Sequence, residues 1–507
     1  MASLTCKVIR IGVFFDGTGN NLVNDEKLNQ TSNIARLYHL YPKLAEKNAY
    51  IIGNKVTECR IYLDSIYIEG VGTENNRSDS TLDKGTGSGG AKRINLVIEQ
   101  IKALRKKFPQ DRYKCYIDVF GFSRGAALAR DFINIMNKSE KKQRKLNCIF
   151  KFVGLFDTVG SFGKAGDDKN YKPIDASDDS EGGAFWSEIF STPSSEKYEP
   201  YNFNLSRQSA EKIVHFVALD EYRKNFPLTD IEGAGETYHF IGAHSDVGGG
   251  YAPITKELIF EYTNKKTLAE AKQALSNPEN GIPFGEGWNA QYRSVRQDDS
   301  WSENRGQRYA YAYGRRVITN DLQRITLMAM YNCAVKAGVP LLPFTEDFSP
   351  SHLANLTKDI AYTEYTPFFN VISSSSECAL SLLNEDFSQE FKAYLREVLE
   401  NPFSVESFIN HQTDELRKSD RLPKRAQHFR DKLHLCILAK YVHNSSCTGD
   451  ADGLKLPPIG FKHRSPEYIG ETIANAPLYS GGFGSIDALP IRMVFENNVN
   501  EAVVLDE

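Results

Sequence analysis

Gly121-Phe122-Ser123-Arg124-Gly125 fits G-x-S-x-G, a pentapeptide that presents a serine nucleophile when a strand runs into it and a helix leaves it. Both conditions hold here. Tyr113 to Phe120 (YKCYIDVF) reads as a strand, and Ala126 to Met136 has helical periodicity. The flanking glycines let the strand and helix backbones pass at a strained turn, and Ala126 and Ala127 let the helix lie close to the sheet. At that helix N-terminus the N–H of Arg124 is placed where an oxyanion would form. The expected chemistry is acyl transfer by Ser123, and the competing reading is a purely structural Gly-Ser-Gly turn.

A serine hydroxyl is a weak nucleophile without a base, so a histidine and a carboxylate must come from elsewhere in the chain. In serine hydrolases with this elbow the order is serine, acid, histidine. Asp157 ends the strand pattern Ile149 to Phe156 and precedes Thr158-Val159-Gly160. Asp220, which follows Ile213 to Leu219, is its rival, and either acid could merely cap a turn. His244 follows a strand and enters Ser245-Asp246-Val247-Gly248-Gly249-Gly250, a loop suited to presenting a catalytic imidazole. His443 is the alternative base, whereas His215 and His239 lie inside strands and read as core or sheet-face residues.

A second oxyanion donor is expected from the loop after an early strand. Asp16-Gly17-Thr18 ends the strand Val8 to Phe15, and Gly17 allows a close backbone approach. Asp16 is expected to hydrogen-bond within that loop, with a cation site as the other reading. No His, Cys or carboxylate spacing indicates a metal site, and no cofactor motif is present. Gly85 to Gly90 follows a polar loop rather than a strand and lacks a following Lys-Ser or Lys-Thr, which argues against a phosphate loop.

The elements that must hold these residues alternate. Strand patterns over Val8–Phe15, Arg60–Leu63, Tyr113–Phe120, Ile149–Phe156, Ile213–Leu219 and Thr237–Ile241 are interleaved with helical ones over Ser32–Ala45, Ala91–Lys107 and Ala126–Met136. This is an α/β pattern with a mostly parallel sheet, and with the elbow it predicts an α/β-hydrolase fold. The catalytic core is expected over 1–345, with insertions near 163–197 and 276–308. Residues 346–507 are expected to form a mostly helical C-terminal elaboration that contacts membrane or a partner. Its helical patterns are Phe387–Leu399 and Arg425–Val442, and the tail after Cys447 reads as loop. Thr319–Ala337 is also helical, and with Phe368-Phe369 it is apolar enough either to dock on lipid or to be core.

Composition narrows the classes. With 61 basic and 65 acidic residues the net charge is −4, so no polybasic field argues for nucleic acid. Hydrophobic residues at 41% and charged residues at 25% fit a globular chain rather than a disordered one. Eight scattered cysteines without a C-x-x-C pair do not form a disulfide framework and read as small buried hydrophobes. Met1 to Ile11 has no apolar signal-peptide region, and no window is long enough to span a bilayer. Synthesis in the cytoplasm without a signal peptide is expected.

Six stretches together resemble one family. They are Phe14-Phe15-Asp16-Gly17-Thr18-Gly19-Asn20, Gly70-Val71-Gly72-Thr73, Gly121-Phe122-Ser123-Arg124-Gly125-Ala126, Phe156-Asp157-Thr158-Val159-Gly160-Ser161, Ala218-Leu219-Asp220-Glu221-Tyr222-Arg223 and His244-Ser245-Asp246-Val247-Gly248-Gly249-Gly250-Tyr251. In this order they resemble the uncharacterised α/β-hydrolase family that includes the class-one lipase effectors of the bacterial type VI secretion system. The resemblance covers about residues 8 to 340. It implies a phospholipase of A1 or A2 type acting on membrane glycerophospholipid as an antibacterial toxin. It also implies a triad of Ser123, Asp157 and His244, an adaptor or spike protein for delivery into the target-cell periplasm, and a cognate immunity protein. Two other readings stand beside it: a cytoplasmic serine esterase on a soluble ester, and a non-enzymatic interaction module on a hydrolase scaffold.

Overall fold

A computed structural model describes residues 6–52, 56–73, 90–109, 111–141, 146–162, 201–218, 220–221, 223, 226–240, 242–263, 269, 289–296, 308–342, 443 and 494–504. Strand β1 (Cys6–Phe15) is mostly apolar, interrupted by Lys7 and Arg10, as expected of a strand covered on both faces. Ile9, Ile11, Val13 and Phe15 enter one core cluster, and Phe14 enters another on the opposite face. Two short helices follow: α1 (Leu22–Leu28), capped by the Asn21 side chain, and α2 (Asn33–Leu40), capped by Ser32. Strands β2 (Leu44–Ile52) and β3 (Val56–Ile68) come next, then helix α3 (Gly90–Lys107), strand β4 (Lys114–Phe122), helix α4 (Arg124–Lys141) and strand β5 (Cys148–Phe156). The later core elements are β6 (Lys212–Ala218), the two-residue β7 (Leu228–Thr229), β8 (Glu236–Phe240) and the short helix α5 (His244–Gly248).

The main sheet has seven strands in the order β2-β3-β1-β4-β5-β6-β8. All adjacent pairs are parallel except the edge pair β2–β3. Helices α3 and α4 cover one face through Ile94, Val97, Ile101, Phe132 and Ile133. The other face is covered by α2 and by α6 (Asp321–Lys336), through Ile34, Leu37, Leu327 and Met330. This is the mostly parallel α/β fold expected from the alternation. A bidentate pair joins β1 to β4: the partly buried Arg10 donates from Nε and Nη2 to the buried Asp118 at 2.7 and 2.8 Å, and Tyr41 Oη donates to the same carboxylate at 2.9 Å.

Three local expectations are corrected. The helix expected over Ser32–Ala45 stops at Leu40, because Pro42 disfavours a helical conformation at Tyr41, which is extended at φ −86°, ψ 118°. Leu44 and Ala45 therefore open β2, the antiparallel edge strand. The short strand expected at Arg60–Leu63 is thirteen residues long, since its polar stretches pair with β1 and β2. Part of the span expected as an insertion, 276–308, whose sequence shows no clear period, is strand: β10 (Asn289–Arg296) pairs with β11 (Arg308–Thr319), which pairs in turn with β9 (Ile254–Thr263) in an antiparallel three-stranded sheet. The 163–197 stretch, Phe368-Phe369 and the helical patterns Phe387–Leu399 and Arg425–Val442 lie outside the described residues. Near the C-terminus, β12 (Val494–Phe495) pairs with β7. Asn137 Nδ2 donates to the Val503 carbonyl at 2.8 Å, which lays this stretch against α4.

Candidate active site

Ser123 sits alone between β4 and α4 with φ at +57°, the left-handed region that a non-glycine residue enters at a cost. The surrounding turn leaves little room. A Cβ at Gly125 would lie 2.3 Å from the Asp16 carbonyl oxygen and 2.4 Å from that of Phe15, so only glycine lets the start of α4 cross the end of β1. The elbow is also tied to the neighbouring strand, since Ser123 N donates to the Phe156 carbonyl at 3.0 Å and Val159 N donates to the Ser123 carbonyl at 3.3 Å.

Those last two bonds bring the end of β5 alongside. Asp157, the next residue, also has a positive φ, +41°, and is fully buried. Its Oδ1 accepts from Ala218 N at 2.9 Å, which leaves Oδ2 facing Nδ1 of His244 at 2.5 Å. His244 is the first residue of α5, and its ring is flanked by Phe122 and Phe226, with centroids at 4.6 and 5.0 Å. Burial pushes the His244 imidazole below its ordinary pKa, and the bond to Asp157 opposes that shift. The ring is therefore neutral, and able to accept a proton, at pH values somewhat below its usual range. Helix α5 approaches the elbow closely, because Gly248 packs on the Phe122 ring where a Cβ would lie 1.9 Å from a ring carbon.

The two rivals go elsewhere. Asp220 Oδ2 accepts from Gly242 N at 2.8 Å and Asp220 N donates to the Gly242 carbonyl, which joins the loops after β6 and β8 rather than meeting His244. His443 has its own carboxylate: its Nδ1 lies 2.6 Å from Asp246 Oδ1, its backbone N donates to Asp246 Oδ2, and its ring stacks on Tyr251 at 3.7 Å. His215 accepts from Thr158 N at 3.1 Å beneath the Asp157 turn.

The Gly17 loop is wired differently from the expectation that its N–H faces substrate. Gly17 N donates to Asp16 Oδ1 at 2.7 Å, while Ser32 Oγ and Tyr67 Oη donate to Asp16 Oδ2 at 2.7 and 2.5 Å. Asp16 thus organises the loop from within. Burial pushes its carboxyl up to about 7 against these three donors. The Arg124 side chain reaches the same loop, donating from Nε to Thr18 Oγ1 at 2.6 Å. Burial lowers the Arg124 guanidinium to about 10, so it remains charged at neutral pH.

Sequence reasoning missed one buried pair, although it lies in a stretch already singled out. Glu221 holds Arg223 through Oε1 at 2.9 Å and Oε2 at 2.7 Å, and Oε2 also accepts from His244 N at 3.3 Å. The Arg223 guanidinium stacks on Phe226 at 3.4 Å, and Phe226 stands edge-on to the His244 ring. Glu221 is a positioning residue by this geometry. Glu221→Gln, which preserves shape but removes charge, is expected to lower kcat roughly 10–100-fold with little change in KM. It is also expected to move the acid limb of the pH profile down, because the Arg223 charge then acts on His244 without Glu221 to offset it. A lower Tm with kcat and pH profile unchanged would make Glu221 a structural residue only.

Among the described residues no group of His, Cys, Asp and Glu could hold a metal ion, and no helix is long and apolar enough to cross a membrane.

A family model described as type VI secretion system phospholipase effector Tle1-like, catalytic domain, matches residues 10–139 and 133–275, just over half of the chain. Among solved structures, a Tle1 effector bound to the VgrG spike of the type 6 secretion system is similar at 23% identity, over 70% of this chain and 79% of that one, with a TM-score of 0.42. An uncharacterized protein from Pseudomonas aeruginosa is similar at 16% identity, over 86% of this chain and 64% of that one, with a TM-score of 0.37. No curated protein matches the chain.

Proposed function

The chain belongs to the Tle1-like phospholipase effectors of type VI secretion, and from that membership we propose that it is a serine esterase of A1 or A2 type that cuts acyl esters of membrane glycerophospholipids. The observation that carries the reading is the 2.5 Å contact between His244 Nδ1 and Asp157 Oδ2, made beside a serine held at a positive φ.

In the proposed reaction Ser123 Oγ attacks the ester carbonyl carbon while His244 Nε2 takes the hydroxyl proton. Asp157 keeps the other ring proton on Nδ1 and stabilises the imidazolium that forms. The carbonyl oxygen, now an anion, is met by the N–H of Arg124 at the start of α4. One such donor typically contributes about 3–4 kcal/mol to the transition state. Collapse breaks the ester C–O bond, and the imidazolium protonates the departing lysophospholipid oxygen. Water, deprotonated by His244, then attacks the acyl-enzyme and releases the fatty acid with Ser123 restored.

Delivery by the secretion machine with an adaptor or spike protein, action in the target-cell periplasm and neutralisation by a cognate immunity protein complete the proposal.

The test is product analysis of the full-length protein on phosphatidylethanolamine–phosphatidylglycerol vesicles, in parallel with p-nitrophenyl butyrate. Equimolar fatty acid and lysophospholipid are expected, and the acyl position remaining on the lysolipid assigns A1 or A2. Turnover of the soluble ester with intact vesicle lipid would replace the membrane substrate by a soluble one. Absence of turnover on both would favour an interaction module.

A further inference from the structure

Two of the eight cysteines meet in the sheet. Cys115, the second residue of β4, and Cys148, the first residue of β5, are register partners on adjacent parallel strands. Neighbouring strands run about 4.8 Å apart, within the Cα separation that a disulfide spans. The two Sγ atoms lie 2.7 Å apart, and both side chains are buried as thiols. Sulfur is larger than carbon, whose non-bonded optimum is already about 3.5–4.0 Å. A separation of 2.7 Å is thus too close for two packed thiols and only slightly longer than a covalent S–S bond of about 2.05 Å. Among the described residues no third His, Cys, Asp or Glu joins them, so a thiolate metal site has no ligand set.

We propose that Cys115 and Cys148 form a cross-strand disulfide when the protein meets a disulfide oxidant. One thiolate attacks a sulfur of the exogenous disulfide and releases its first thiol. The second cysteine then attacks the mixed disulfide and releases the other. Two cysteine thiols are oxidised, one external disulfide is reduced to two thiols, and the electrons balance.

The site has a route for this chemistry despite its burial. Cys148 opens its strand between Asn147, which is exposed, and Ile149, which is 46% exposed, and Cys115 follows the exposed Lys114. Local opening of the ladder at these strand starts would uncover both sulfurs without unfolding the rest of the sheet. The location gives the bond a consequence. The two cysteines are 33 residues apart in sequence, and the loop they would close contains the whole elbow and α4. The bond would tie the strand that presents Ser123 to the strand that presents Asp157, at the ends opposite the catalytic residues. In a reducing cytoplasm the pair stays as thiols, while an oxidising compartment closes it. This inference does not rest on the reaction proposed above.

The test uses the full-length protein, equilibrated in parallel in dithiothreitol and in an oxidised-glutathione buffer, alkylated, digested and mapped by mass spectrometry. The expected result is a Cys115–Cys148 cross-linked peptide, two hydrogens lighter than the separate peptides, in the oxidised sample alone. A Tm roughly 5–15 °C above that of the reduced sample is expected with it. In the double variant Cys115→Ser/Cys148→Ser the redox dependence of Tm should vanish. Alkylated Cys115 and Cys148 in the oxidised sample, or pairing of either with another cysteine, would overturn the proposal. An unchanged Tm in the presence of the cross-link would overturn its stabilising role.

Discussion

Replacing Ser123 by alanine is expected to lower kcat for acyl-ester hydrolysis by about 10⁶-fold, the loss seen when a hydrolase triad loses its nucleophile. The size follows from what is removed. In the proposed reaction no acyl-enzyme can form without Oγ, and His244 and the Arg124 N–H can assist only direct attack by water. The substitution should leave the fold in place. Ser123 makes its structural bonds through its backbone, from N to the Phe156 carbonyl and from its carbonyl to Val159 N. Alanine also bears the same +57° φ at a similar cost. The measurements are fatty-acid release from phospholipid vesicles and thermal unfolding of the same preparation. A residual rate within tenfold of the parent, in a folded protein, would remove Ser123 from the chemistry.

Asp157→Asn should cost about 10⁴-fold in kcat with the geometry nearly intact. The asparagine oxygen can still accept from Ala218 N, so the turn after β5 keeps its anchor. Its amide, however, would donate to Nδ1 of His244, forcing the proton onto Nε2 and leaving no lone pair to receive the Ser123 proton. The pH dependence separates this from simple damage. His244 lies below its ordinary pKa because burial outweighs the raising effect of Asp157. The proposed reaction needs the neutral ring, so the rate is expected to be lost as pH falls through that lowered value. Removing the carboxylate withdraws the interaction that favours the charged ring, and the acid limb of kcat/KM should move to still lower pH. An acid limb that rises, or a loss under tenfold, would return the acid role to another residue, with Asp220 as the rival on sequence grounds.

The parts of this protein readable in the sequence are those decided by local sterics. Gly121 and Gly125 bracket a serine because a strand can turn into a helix there only where no Cβ blocks the crossing, and the chain writes that requirement in five adjacent residues. The alternation of apolar strands and amphipathic helices likewise shows in runs of ten to twenty residues, and from it the parallel α/β architecture follows. Even the missed end of α2 was local, since Pro42 stood in plain view.

Which acid meets which histidine was decided elsewhere. Asp157 and His244 are 87 residues apart, and Asp246 and His443 are 197 apart. Asp157, Asp220, His244 and His443 all had plausible local settings. The order β4-β5-β6-β8 chose among them, because it lays the ends of β5 and β8 at the distances one imidazole can span. The same holds for the contact of Glu221 with the His244 backbone N–H and for the cysteines across β4 and β5. The β9–β11 sheet went unread for a related reason, since β9 finds its partner in β11, which lies beyond β10 in the chain. A residue's type and its neighbours set what it can do, but its partner is set by strand order and register, which no local window contains.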